Sequence, residues 1–142
     1  MTVAIGLVVL QKIEAHARDR YPEEACGLLV GRFEADRTVV TAAHESENVA
    51  PDRRTGFEVD PGFRLRLQRD VRAEGAAIVG VFHSHPSGDA TPSATDRESI
   101  WEPDLIWLIT AVDGGALGET RAFAVDVKDR GHTFREIALT GV

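Results

Sequence analysis

The chain has 142 residues, the size of one domain rather than two. With 43% hydrophobic and 27% charged residues it has a globular balance that excludes wholesale disorder. Its 16 basic and 23 acidic residues leave a formal net charge of -7, which argues against nucleic acid or an anionic membrane as partner, and its single cysteine excludes an intrachain disulfide framework.

The apolar opening Val3 to Leu10 has no basic segment before it and no small-residue cleavage site behind it, so it does not read as a signal peptide. No later apolar run approaches the roughly 20 residues of a membrane span. The expectation is a soluble, cytoplasmic protein, organised as a single domain over residues 1–142. Val3 and Ile5 suit a short strand. Leu7 to Arg20 carries Val9, Leu10, Ile13 and Ala17 at helical spacing, and Tyr21-Pro22 ends that helix, because a residue before proline is pushed out of the helical region. Ala25 to Phe33 reads as a buried strand, with Arg37 to Glu45 as its hairpin partner. Ser46 to Gly56 is polar and reads as a loop, the segment best placed to contact a substrate.

Asp60-Pro61 is a helix start, with aspartate as cap and proline in the first turn. Phe63, Leu67 and Val71 carry the helix to Gly75. Ala76 to Phe82 is a second buried strand that runs into His83-Ser84-His85-Pro86-Ser87-Gly88-Asp89, where proline and glycine turn the chain. Ser93 opens a helix to about Trp101. Leu105 to Val112, Thr120 to Val127 and Thr133 to Leu139 are three strands with no helix between them, which predicts an α+β fold with a mixed sheet.

The chemistry concentrates in His83-Ser84-His85, a seven-residue gap, and Ser93-Ala94-Thr95-Asp96. Histidines two apart on a strand share a face, and the following helix can bring Asp96 to them. Two imidazoles and a carboxylate leave a fourth tetrahedral position open, the layout of a catalytic zinc site. Zinc there would lower the pKa of water towards about 7. Such a hydrolase also needs a base, for which Glu23 and Glu24 are both candidates, and an oxyanion donor, for which Ser93 is placed. Ser93 and Asp96 equally fit the cap and third residue of a helix N-terminus, and both roles can hold together. Cys26 is expected to be a buried small hydrophobe. Trp101 and Trp107 are expected in the core, and His16, His44 and His132 at structural or surface positions.

Glu24-Ala25-Cys26-Gly27-Leu28-Leu29-Val30-Gly31, followed by His83-Ser84-His85 and Ser93-Ala94-Thr95-Asp96 at this spacing, resembles the JAMM (MPN+) metalloprotease domain in its compact bacterial form. The resemblance implies a curved mixed β-sheet flanked by helices, of the cytidine-deaminase-like kind. It implies one catalytic zinc ion held by His83, His85 and Asp96, with Glu24 rather than Glu23 as acid/base and Ser93 at the oxyanion. The implied activity is hydrolysis of an amide or isopeptide bond at the Gly-Gly-type C-terminus of a ubiquitin-like or sulfur-carrier protein. That protein's extended tail could lie along a strand edge beside the site. The run His85 to Asp89 with Pro92-Ser93 also resembles the RadC-type branch. A peptidase acting on phage or cell-wall peptides, or a non-catalytic scaffold, are the other readings.

Overall fold

A computed structural model describes residues 1–142. The elements in chain order are β1 (Thr2–Ile5), α1 (Leu7–Arg20), β2 (Cys26–Phe33), β3 (Arg37–Ser46), α2 (Pro61–Ala73), β4 (Ala77–His85), α3 (Ala94–Glu98), β5 (Ile106–Asp113), β6 (Ala116–Val127) and β7 (His132–Gly141). The class is α+β with a mixed sheet, as expected. The sheet, however, is not an open curve. It closes into a barrel in the order β1-β3-β2-β4-β5-β6-β7. The closing element is the short β1, which pairs in parallel with β3 on one side and β7 on the other. The closure spans only the length of β1, so residues 41–46 of β3 and 132–137 of β7 run beyond it with one paired neighbour each.

Alternation along the strands builds two apolar layers. Ile13 of α1 packs with Val3, Leu29, Phe82 and Leu108, and α1 reaches β3, β4, β5 and β6, as a helix seated in the curve of the sheet can. On the outer face, Leu67 and Val71 of α2 pack on Leu28, Val30, Val81 and Trp107. Each such fully buried side chain contributes about 1.5–3 kcal/mol of transfer free energy. The sequence places α2 well. The Asp60 carboxylate accepts from the Gly62 N–H at 3.1 Å, Pro61 opens the first turn, and Gly75, at φ 76°, takes the left-handed conformation just past the helix end.

Between Leu29 and Val30 the pairing of β2 with β4 slips by one residue. Ile78 and Val81 thus both join the outer layer, while Val79 and Phe82 join the inner one. Beyond that bulge, alternation sends Val81, His83 and His85 to the same outer face and Phe82 and Ser84 inward. Gly27 faces the Phe82 ring and the His44 carbonyl so closely that a Cβ there would collide with both.

Two expectations are corrected. The helix after Ser93 spans only Ala94–Glu98, and Ser99 is its C-cap. Trp101 lies beyond it and is 85% exposed, whereas Trp107 is buried as expected. The shortened helix leaves Ile100 to turn inward in place of Trp101.

Candidate metal centre

Glu24 is the residue before β2, and its peptide group is held on both sides. Its N–H donates to the Arg53 carbonyl at 2.7 Å, and its carbonyl accepts from Asn48 Nδ2 at 3.0 Å. The next residue is tied to β4: the Ala25 N–H donates to Ser84 Oγ at 2.7 Å, and the Ser84 N–H donates to the Ala25 carbonyl at 3.0 Å. His83 pairs with Cys26 in β2 and with Ile109 in β5. This lattice delivers the Glu24 carboxylate to the histidine face.

Glu24, His83, His85 and Asp96 are all buried, and one ligand atom from each lies within 4.8 Å of the others. His83 Nδ1–H donates to Glu24 Oε1 at 3.1 Å. Its lone pair then sits on Nε2, which is buried, has no hydrogen-bond partner and faces Asp96 Oδ1 across 3.5 Å. Two lone-pair groups facing each other in a dry site call for a cation between them. His85 Nδ1–H donates to the Asp89 carbonyl at 2.7 Å, which orients the ring, and Nε2–H donates to Asp96 Oδ2 at 2.9 Å. Burial opposes a charge on His85, but the hydrogen bond and charge of Asp96, helped by the Asp89 carbonyl, outweigh it and raise its pKa above 6.5. Burial likewise pushes the Asp96 carboxyl up. The His85 hydrogen bond and the Ser93 N–H win, and hold it at about 2. A divalent ion shared by the two Nε2 atoms and Asp96 would take over what that proton does. The residues present fit a metal.

Ser93 caps α3. Its Oγ accepts from the Asp96 N–H at 3.0 Å, and its own N–H donates to Asp96 Oδ2 at 2.9 Å, a reciprocal capping box. The exposed Ser93 hydroxyl keeps its proton for donation into a pocket of about 330 Å³ that Glu24 and His85 also line. Glu23, the other glutamate of the pair, is half-buried, and Arg53 Nε lies 3.7 Å from its carboxylate. Cys26 is buried beside the Ser46, Glu47 and Glu58 carbonyls, and burial pushes its thiol up to about 12, which makes it inert. His16 is buried against Phe82, 3.3 Å from Glu45 Oε2, and burial lowers its pKa. His44 and His132 are half-buried and away from the cluster.

Phe57, Ser84 and Asn48 shape the centre, and sequence reasoning gave none of the three a role. Phe57 stacks on His83 with ring centroids 4.2 Å apart, while Trp107 meets the same ring edge-on at 5.4 Å. Ser84 lies between the two histidines but works from the opposite face. Asn48 Oδ1 accepts from the Ala50 and Glu58 N–H groups, and its Nδ2 also donates to the Gly56 carbonyl, so one side chain organises the whole loop. A second, larger groove of about 770 Å³ runs from Thr55 and Thr95 between that loop and the segment after α3. Leu28, Phe57, Val59, Leu105 and Trp107 give it an apolar floor, and Trp101 stands at its mouth.

A closed mixed sheet presenting a buried Glu-His-His-Asp cluster at the end of β4 is the architecture of a JAMM-type peptidase, a hydrolase. The chain belongs to the family described as prokaryotic homologs of the JAB domain, which it matches over residues 7–126. It is 41% identical over 106 residues to a desampylase of Haloferax volcanii, covering 72% of this chain and 75% of that one. It is 32% identical over 107 residues to a probable TtuB-protein conjugate cleaving protease of Thermus thermophilus, covering 75% and 68%. A CysO-cysteine peptidase of Mycobacterium tuberculosis is 31% identical over 111 residues, covering 78% and 74%. The solution structure of a protein from Desulfitobacterium hafniense superposes with a TM-score of 0.80 at 31% identity, covering 99% of this chain and 94% of that one. No helix is long and apolar enough to cross a membrane.

Proposed function

We propose that this protein is a zinc-dependent peptidase that hydrolyses an amide or isopeptide bond at the C-terminus of a ubiquitin-like or sulfur-carrier protein. The observation that carries the reading is the unpartnered, buried His83 Nε2 facing Asp96, with His85 and Glu24 beside it. The relatives named for cleaving TtuB conjugates and CysO-cysteine support the substrate class.

His83 and His85 would hold the ion through Nε2, and Asp96 through its carboxylate. Zinc bound there would supply Lewis acidity to the scissile carbonyl and lower the pKa of the attacking water. Glu24, whose Oε1 is anchored by His83, takes the water's proton and passes it to the departing nitrogen. Ser93 Oγ donates its proton in a hydrogen bond to the oxygen that gains charge in the transition state. The carrier's C-terminal tail lies in the apolar groove that leads from Trp101 to Thr55, and the leaving group lies beyond, on the Glu24 side. In the products, the carrier ends in a free carboxylate and the leaving group carries a free amine.

The test is incubation with sulfur-carrier proteins extended at the C-terminus, with and without chelator, read by intact mass. Loss of the extension that chelator blocks and zinc restores is the expected result. No mass change with any extended carrier overturns the substrate, and cleavage that survives chelation overturns the metal.

A further inference from the structure

The two cavities flanking the cluster differ in chemistry. The groove is floored by apolar side chains, but the pocket on the Glu24 side is lined by polar and charged side chains, with Pro86 and Pro92 as its apolar members. Its one lysine or arginine is Arg54, which is exposed and has no ion-pair partner, unlike Arg53 beside it, which faces Glu23. The other charges of that pocket are already engaged. Asp89 Oδ1 accepts from the Thr91 N–H at 2.9 Å, and Glu24 and His85 belong to the metal cluster.

Arg54 is also fixed in place by the fold. Its N–H donates to Asp52 Oδ1 at 3.1 Å, the Gly56 N–H donates to the Asp52 carbonyl, and the preceding residue's carbonyl accepts from the Glu24 N–H. The guanidinium is thus carried on a loop pinned to the backbone of the acid/base itself. At about 330 Å³ the pocket has room for a single amino acid with water.

Resting on the peptidase reading above, we infer that this pocket takes a free α-amino acid as leaving group, with Arg54 binding its α-carboxylate. In an adduct of one residue, α-linked to the carrier, the carboxylate is two bonds from the scissile nitrogen, in the pocket that Glu24 and Arg54 line together. In an isopeptide through a lysine ε-amine the corresponding backbone is neutral and several bonds further away, so Arg54 gains no charge partner. Water's hydroxyl goes to the carrier carbonyl and its proton to the nitrogen, releasing an amino acid whose carboxylate has stayed ionised throughout.

The experiment uses a Gly-Gly-terminated sulfur-carrier protein carrying one α-linked alanine, prepared as the free acid and as the carboxamide. The wild type is expected to favour the acid in kcat/KM by about 10-fold, the scale of one charge-assisted hydrogen bond. Arg54→Gln should bring the two substrates to the same kcat/KM, chiefly through KM, and Arg54→Lys should keep part of the preference. Zinc content and melting temperature, measured on the same preparations, should not move, because the side chain is exposed. Equal rates for acid and carboxamide in the wild type overturn the inference, as does an unchanged preference in Arg54→Gln. Cleavage of neither form overturns the peptidase reading, and the inference with it.

Discussion

Ser84 Oγ accepts the Ala25 N–H at 2.7 Å while the Ser84 N–H returns a bond to the Ala25 carbonyl at 3.0 Å. This reciprocal pair locks the strand carrying the two histidines to the residue after Glu24. It sets the distance between the proposed base and the proposed ligands from the face of β4 that points away from both.

Ser84→Ala therefore leaves the buried Ala25 N–H without its acceptor. The expected cost is about 1–3 kcal/mol of stability, read as a lower denaturation midpoint. Zinc stoichiometry should hold, since no ligand is removed, and kcat should fall because Glu24 is less firmly placed.

Glu24→Ala and His85→Ala should separate the base from the ligands. The first is expected to retain zinc and to lose about 10²–10⁴-fold in kcat, the range for a general acid/base. The second should lose the metal as well. Metal analysis beside steady-state kinetics distinguishes them, and wild-type turnover in Glu24→Ala would return the role to Glu23.

At the proposed site, zinc would compete with a proton for His85. In the metal-free protein its pKa is raised, so the stability it contributes is present below about 6.5 and fades as pH climbs through the raised value. Asp96, held at about 2, contributes above its unfolded value near 3.8 and loses that contribution only as pH falls towards 2. The metal-free protein should thus lose melting temperature as pH rises through the neutral range. Zinc binding requires deprotonated Nε2, so the zinc-loaded protein gains relative to it. The melting-temperature difference between the two should widen with pH; at free zinc 100-fold above Kd the stabilisation behind it is about 2.7 kcal/mol. A difference independent of pH would remove His85 from the ligand set.

Trp101→Ala tests the groove. The side chain is 85% exposed, so stability should change by no more than about 0.5 kcal/mol. KM for the extended carrier should rise with kcat little altered, because the residue stands at the groove mouth and not at the cluster.

Much of the chain order was legible because it rests on local physics. Helix α1 begins and ends where periodicity and Tyr21-Pro22 place it, and α2 starts at the Asp60-Pro61 cap. The expectation failed where neighbours in space decide. Trp101 reads as core from its size, yet α3 stops after one turn and Ile100 takes the buried position. The resemblance implied a curved mixed sheet, and its closure was not legible because four residues of β1 give no hint that they bridge β3 and β7.

The candidate site divides the same way. By sequence alone, the spacing of His83, His85, Ser93 and Asp96 determined that two imidazoles and a carboxylate could converge, since strand alternation and a capped helix are short-range rules. Local sequence left Glu23 and Glu24 equivalent, and only resemblance separated them. In the tertiary structure the bulge opposite Val79 sets which face of β4 carries the histidines. The Asn48 and Ser84 hydrogen bonds, closed across 24 and 59 residues of chain, bring Glu24 rather than Glu23 onto that face. Such contacts depend on the register between strands distant in sequence, and no local pattern encodes that register.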